Sequence, residues 1–238
     1  MPFTELLSVS STNIYAADKL KANLAAHGAA FFACHQTAGK GQRSKQWNDE
    51  PGKNIMLSVI LDTSFLSTLH QFPFSAMVAV SVHEFFSQYA GDETKIKWPN
   101  DLYWRDRKAG GILIETVANG KWAIAGIGIN VNQTKFSKEL PNPVSLKQIT
   151  GKEFDTIALA KELCTYLERN YQLLKKGKSE KIIALYNQYL YKRNEVVRLK
   201  KNNAAFNCTI KSVNENGELI ISDALQESFV WGEVEWIL

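Results

Sequence analysis

Long apolar runs are missing from this sequence. No stretch approaches the roughly 18 consecutive apolar residues of a membrane-spanning helix, and Met1 to Ser11 has neither the basic start nor the apolar core of a secretory signal. Cysteine is scarce as well. Cys34, Cys164 and Cys208 form no pair motif, which argues against a disulfide framework or a zinc site and for a reducing compartment, the cytoplasm. The four histidines, at 27, 35, 70 and 83, fall in no metal-ligand pattern, and His35 is expected to serve packing and hydrogen bonding. Internal repeats and low-complexity segments are absent. Neither sign of charge dominates: a net charge of +4 suits small anionic substrates or an acidic protein partner, but is too mild to indicate nucleic-acid binding. What is present, 238 residues at 45% hydrophobic and 22% charged, is a globular composition with room for one large domain or a large and a small one.

The chain is organised around Lys97-Trp98-Pro99-Asn100-Asp101-Leu102-Tyr103-Trp104, closing at Lys108-Ala109-Gly110-Gly111-Ile112. Thr94 to Trp98 alternates polar and apolar residues as a half-buried strand does. Pro99 stops the ladder, Asn100 and Asp101 are turn formers, and residues 102–104 and 110–117 are predicted as two further strands. The strand ends bring Lys97, Lys108, Asn100 and Asp101 close together, and Gly110 and Gly111 leave room for a ligand or another backbone. A lysine neutralises a carboxylate or phosphate as a point charge, and an aspartate can hold Mg²⁺ through oxygen. The same residues also suit an ordinary meander with solvated lysines and an Asn-Asp turn.

Two more stretches bear on that choice. Gln36-Thr37-Ala38-Gly39-Lys40-Gly41-Gln42-Arg43-Ser44-Lys45-Gln46-Trp47 has few core residues, several small hinges and a basic character. It is predicted to be a surface loop whose amides and cations can close over a phosphate; a plain solvated loop is the alternative. Gly126-Ile127-Gly128-Ile129-Asn130-Val131-Asn132 lacks side chains at alternate positions of one strand, so a flat ligand could lie on the sheet there. No helix opens directly after it, so it is not a dinucleotide fingerprint.

With Lys-Trp-Pro-Asn-Asp between them, these motifs in this order closely resemble the biotin protein ligase family, from about Ser10 to the C-terminus. The resemblance implies an α+β fold: a class II synthetase-like mixed sheet flanked by helices, over residues 1–190, and a small SH3-like β-barrel over 191–238. It implies an enzyme that uses ATP and Mg²⁺ to make biotinyl-5'-AMP and transfers biotin to a lysine of a biotin carboxyl carrier domain. By the same resemblance, Ser11, Thr12, Asn13, Gln36, Gly39, Lys40, Gly41, Gln42, Lys108 and Gly110 are expected to bind biotin. Arg43, Trp47, Lys97, Asn100, Asp101 and Asn130 are expected on the ATP side, with Asp101 as the Mg²⁺ ligand. Lys108 and Arg43 are expected to be catalytic, Lys108 by bringing the biotin carboxylate and the α-phosphate together.

The loop departs from the family's commonest pattern, Gly-Arg-Gly-Arg-x-Gly-Arg-x-Trp. Lys40 and Lys45 stand where arginines are usual, and Gln42 replaces a third. Lysine keeps charge but loses the bidentate fork, so Arg43 is expected to supply the guanidinium one residue along. Many family members begin with a helix-turn-helix domain; this chain enters the catalytic region within about ten residues, so no DNA-binding role is expected. A lipoate or octanoate ligase, which shares the catalytic fold, stays open as an alternative. So does a non-catalytic biotin-binding protein, on the strength of the altered loop.

Elsewhere the pattern predicts a helix from Ile14 to Ala26, capped by the hydroxyls and amide of residues 10–13 and stopped at Gly28. Strands are expected over 29–35 and 54–61, a core helix over 74–89, and a hairpin at Asn119-Gly120. Residues 134–152 are expected as loop. A long helix capped by Asp155 runs to Leu174, and a second, capped by Ser179, to about Leu190. Short alternating segments over 195–200, 206–213, 218–222 and 229–238 make up the small C-terminal unit.

Overall fold

The structure, a computed structural model, describes residues 1–42, 46–66, 72–137, 140, 142–222 and 226–237. Arg43, Ser44, Lys45, His70 and Pro141 lie outside the described residues.

A seven-stranded mixed sheet forms the larger part. Its strands are β1 (Phe3–Leu6), β2 (Ala30–Ala33), β3 (Asn54–Asp62), β4 (Thr94–Lys97), β5 (Asp101–Trp104), β6 (Arg107–Val117) and β7 (Trp122–Asn130). They stand in the order β1-β2-β3-β7-β6-β5-β4, with β1 and β2 parallel and every other neighbour antiparallel. β3 is buried on both faces, which explains why its residues 55–61 are apolar at every position but Ser58. One face carries α2 (Phe72–Ala90) and α4 (Thr156–Lys175). α2 is apolar nearly all round because it lies between the sheet and α4, whereas α4 buries one face, with Leu159, Leu163, Leu167, Tyr171 and Leu174 as its large apolar stripe at helical spacing. Asp155 caps α4 as expected, its carboxylate accepting from the amides of Ile157 and Ala158. The other face carries α1 (Thr12–Lys21) over a small core of Ala16, Leu20, Phe31, Ile60 and Ile124.

α1 is shorter than its composition suggests. It ends in a Schellman motif around Asn23, at φ +56°, where the Leu24 amide donates to the Lys19 carbonyl and the Asn23 amide to Leu20. Asn tolerates the left-handed region, so the chain turns there and not at Gly28. Ser11 is the N-cap residue but makes no side-chain cap bond. Ser179 likewise begins α5 (Ser179–Gln188) as its first residue; Lys178 holds the cap position. Among the described residues between β7 and α4 there is one short helix, α3 (Leu146–Thr150), closed by a reciprocal Ser145–Gln148 capping box and by Gly151 at φ +73°.

The C-terminal strands β8 (Val196–Lys201), β9 (Ala204–Val213), β10 (Leu219–Ser222), β11 (Gln226–Phe229) and β12 (Glu235–Ile237) form a separate antiparallel sheet, ordered β11-β10-β9-β8-β12. It is tied to the larger sheet. Trp98 Nε1 donates to the Gly217 carbonyl (2.9 Å), and the Asn187 carboxamide bonds both the amide and the carbonyl of Val213. No helix among the described residues is long and apolar enough to cross a membrane.

Candidate active site

A cavity of about 330 Å³ opens on the α1 face of the large sheet, within the range of small-molecule sites. Strand alternation decides which residues face it. On β3, Ile55, Leu57, Val59 and Leu61 point to the main core, leaving Ser58 on the other face. On β7 the core takes Ala123, Ala125, Ile127 and Ile129, leaving Gly126, Gly128 and Asn130. The register aligns Ser58, Gly126 and Leu113 in one row across the sheet, and Met56, Gly128, Gly111 and Asp101 in the next.

The first row is the polar end. Ser11, Thr12 and Asn13 are 2%, 4% and 3% exposed and line the cavity. The carboxamide oxygen of Gln36 accepts from the Thr12 amide (2.8 Å), so the loop supplies the helix cap that Ser11 does not. Ser58 Oγ lies 2.7 Å from Thr12 Oγ1 and 2.6 Å from Asn13 Oδ1. Asn13 Nδ2 donates to Glu115 Oε2 (2.7 Å) and to the Leu113 carbonyl (3.3 Å). The Asn13 carboxamide occupies the space that a Cβ on Gly126 would need.

The second row is the charged end. Here Trp47 covers Gly128: a Cβ there would come within 2.6 Å of the indole. The bare faces expected to receive a flat ligand are thus covered by Asn13 and Trp47. Trp47 Nε1 is buried with no hydrogen-bond partner among the described residues. Lys108 Nζ pairs with Asp101 Oδ1 at 2.6 Å, the two side chains 32% and 25% exposed. A β-bulge brings them together. Leu102 pairs with Gly110 but Tyr103 with Lys108, so Ala109 is extra on β6 and Lys108 turns to the face of Gly111, one residue out of phase with simple alternation. Lys97 Nζ donates to Tyr103 Oη (3.1 Å) and stands over the rings of Tyr103 and Trp236 at 4.7 and 5.4 Å. Burial, with the Asp101 charge second, pushes the Tyr103 phenol above its usual range, so it stays a neutral donor and acceptor.

Lys40, Gly41, Gln42, Asn100 and Asn130 also line the cavity. Two of them are already engaged: Asn100 Nδ2 donates to the Ile112 carbonyl, and Asn130 Nδ2 to the carbonyls of Val144 (3.1 Å) and Lys108 (3.4 Å). Gly39 and Gly110 do not border the cavity. A Cβ on Gly39 would meet the Trp47 carbonyl at 2.5 Å and one on Gly110 the Gly128 carbonyl at 2.8 Å, so both glycines serve close backbone packing. His35 bonds Asp49 (3.0 Å) and, as expected, is not part of the cavity wall. Sequence reasoning missed Ser58, a polar residue inside an apolar run of β3, and Glu115, which follows the apolar stretch 112–114 of β6. It also missed Trp231, Val234 and Trp236, which reach the cavity from the C-terminal sheet with no local signal to mark them.

Residues 6–132 match the biotin/lipoate A/B protein ligase family. The chain belongs to that family. The bifunctional ligase/repressor BirA of Bacillus subtilis is 30% identical over 220 residues, 90% of this chain and 67% of the relative. The biotin–[acetyl-CoA-carboxylase] ligase of Mycobacterium tuberculosis is 31% identical over 146 residues, 59% of this chain and 53% of its own length. Among solved structures, the biotin protein ligase of Aquifex aeolicus in complex with biotin and ATP superposes with a TM-score of 0.83 at 25% identity, covering 98% of this chain and 97% of that one. Membership of the ligase family and the shared α+β architecture, with its small C-terminal β unit, accord with the expectation drawn from the motifs.

Proposed function

We propose that this chain is an ATP-dependent biotin–protein ligase, in which residues 1–190 form the catalytic domain and 191–238 an SH3-like accessory one. The observation that carries this reading is the make-up of one cavity: a buried polar end built on Thr12 and Asn13, and a Lys108–Asp101 pair at the other end. A neutral polar ring suits the first and a carboxylate meeting a polyphosphate suits the second.

In the first step a biotin carboxylate oxygen attacks the α-phosphorus of ATP. The bond to the β-phosphate oxygen breaks, pyrophosphate leaves, and biotinyl-5'-AMP forms. Catalysis of this kind is mainly positioning and charge neutralisation. Lys108 neutralises both the carboxylate and the α-phosphate oxygens, a role its position at the charged end of the cavity supports; Lys97 and Asn130 take the nucleotide side. Asn100 acts through the Ile112 carbonyl, keeping the turn that presents Asp101. Trp47, whose indole N–H has no partner among the described residues, stacks with the adenine. Arg43 supplies a guanidinium from the loop. Ser11, Gln36, Lys40, Gly41 and Gln42 complete the wall around biotin, while Gly39 and Gly110 set the backbone spacing behind it.

No cluster of three metal-ligating side chains occurs among the described residues. A single carboxylate, Asp101, fits an ion that arrives with ATP and keeps its other ligands as phosphate and water. Asp101 would hold such an ion by one oxygen, and the chemistry it would supply is charge neutralisation on the phosphates. In the second step a lysine amine of a biotin carboxyl carrier domain attacks the anhydride carbonyl, an amide forms, AMP leaves, and the amine proton is lost to solvent. The scarcity of cysteine supports a cytoplasmic setting.

The test is incubation with biotin, Mg²⁺ and ATP labelled at the α-phosphate, then addition of a carrier domain. A retained labelled adenylate that converts to AMP plus a carrier heavier by one biotin is the expected result. Turnover with octanoate or lipoate alone, or biotin binding without adenylate, would overturn the assignment.

A further inference from the structure

The polar end of the cavity holds more hydrogen-bond contacts than protons to fill them. Thr12 Oγ1 lies 3.1 Å from Gln36 Oε1, and Ser58 Oγ lies 2.7 Å from Thr12 Oγ1 and 2.6 Å from Asn13 Oδ1. The two carboxamide oxygens only accept, and each hydroxyl brings one proton. Three oxygen–oxygen contacts therefore share two protons. Gln36 Oε1 is met by the Thr12 amide (2.8 Å), so no oxygen is left bare, but one contact always lacks a hydrogen and this end is rich in open acceptor lone pairs. A ligand N–H supplies what is missing.

This deficit depends on which way the Asn13 carboxamide points. Were it turned over, Nδ2 would face Ser58 and provide the third proton. Glu115 prevents that. Its Oε2 accepts from Asn13 Nδ2 at 2.7 Å, and the Leu113 carbonyl accepts from the same nitrogen at 3.3 Å. Neither acceptor can donate when Glu115 is ionised, so a turned-over oxygen would face a carboxylate and a carbonyl. Gly126, with no side chain, lets the carboxamide lie flat in this position. Neither Glu115 nor Ser58 borders the cavity.

We infer that Glu115 is a positioning residue that holds the Asn13 carboxamide with its oxygen toward Ser58, keeping the end of the cavity short of a proton and so selecting ligands that bring N–H donors. The inference rests on the proposed biotin reading. The cyclic urea of biotin carries two N–H groups, whereas the dithiolane of lipoate and the chain of octanoate carry none.

The experiment is calorimetric binding and adenylate formation with the full chain as wild type, Glu115→Ala, Glu115→Gln, Asn13→Asp and the double variant Asn13→Asp/Glu115→Gln. Biotin, an N-methylated biotin and octanoate are the ligands. Wild type should prefer biotin to both other ligands. Glu115→Ala and Glu115→Gln should weaken biotin binding roughly tenfold to a hundredfold, leave the KM for ATP within about twofold, and narrow the biotin-to-octanoate ratio by the same factor. The double variant exchanges donor and acceptor but still points an oxygen at Ser58. It should bind biotin better than Asn13→Asp alone, in which two carboxylates face each other. Unchanged biotin affinity and unchanged selectivity in both Glu115 variants would overturn the inference. So would a parallel loss for biotin, octanoate and ATP, which is the mark of a purely structural role. A wild-type chain that binds no biotin would overturn the proposed function itself, and this inference with it.

Discussion

At one end of the cavity, Thr12 and Asn13 are 4% and 3% exposed, and each is bonded to groups from elsewhere in the fold: the loop at Gln36, β3 at Ser58 and β6 at Glu115. At the other end, Lys108 and Asp101 keep about a third and a quarter of their side-chain surface and are bonded mainly to each other. The first arrangement is set before any ligand arrives, since Ser58 and Glu115 hold it from strands of the sheet and Gln36 closes it from the loop. The second holds opposite charges in reserve, each able to exchange its partner for a phosphate, a carboxylate or a metal ion. A neutral ring is recognised by fixed dipoles; a reacting polyphosphate needs charges that can move.

The sharpest way to break this contrast is Lys108→Ala. Removing the cation should slow adenylate formation roughly a hundredfold to a thousandfold, as loss of a donor to developing charge does. The half-exposed pair adds little to stability, so the unfolding midpoint should barely move. An adenylation rate within a few-fold of wild type would remove Lys108 from the reaction.

Acid should loosen the charged end selectively. His83 Nε2 bonds the Thr94 carbonyl of β4, the strand that ends in Lys97, and the ring stacks on Tyr189 at 3.8 Å. Burial pulls its pKa from 6.5 down to about 4, with the Lys95 charge adding to that effect, against the Thr94 bond. The native state therefore keeps His83 neutral while the unfolded chain takes up a proton. Stability should be full above pH 6.5 and fall as the pH drops towards 4, by roughly 3 kcal/mol in all. Denaturant titrations at pH 7.5 and 4.5 measure this, and His83→Gln should flatten the part of the slope that His83 contributes.

Gly126→Ala attacks the rigid end. The new Cβ would come within 2.9 Å of the Asn13 carboxamide carbon and nitrogen, on a strand pinned between β3 and β6. Overpacking of this sort costs about 1–3 kcal/mol. Biotin affinity should fall about tenfold to a hundredfold while the KM for ATP stays put; equal losses in both would show that the two ends are not independent.

How much of this could be read from the sequence differs between the same two ends. The motif order marked Thr12, Asn13, Asp101 and Lys108, and periodicity found β3, α2 and the Asp155 cap. The bulge at Ala109 could not be read, because an extra residue shows only against the register of its partner strand, and without it Lys108 would face away from the cavity. Ser58 and Glu115 were visible as odd polar residues, but 45 and 102 positions separate them from Asn13. α3 carried a legible capping box, Ser145 with Gln148, yet five residues are too few to show a helical period. β1, four residues long, was missed for the same lack of length.

The smallest change sharpens the contrast from a distance. Trp98 Nε1 donates to the Gly217 carbonyl, tying the end of β4 to the C-terminal sheet that brings Trp231, Val234 and Trp236 to the cavity. Of those side chains Trp236 lies under Lys97, at the charged end; nothing from that sheet touches Thr12 or Asn13 through a hydrogen bond among the described residues. Trp98→Phe keeps an aromatic ring, removes one hydrogen bond, and should cost about 1 kcal/mol of stability. The KM for ATP should rise a few-fold with biotin affinity unchanged. If biotin affinity falls instead, the C-terminal sheet supports the whole cavity, and the division between a rigid recognition end and a mobile reacting end would have to be redrawn.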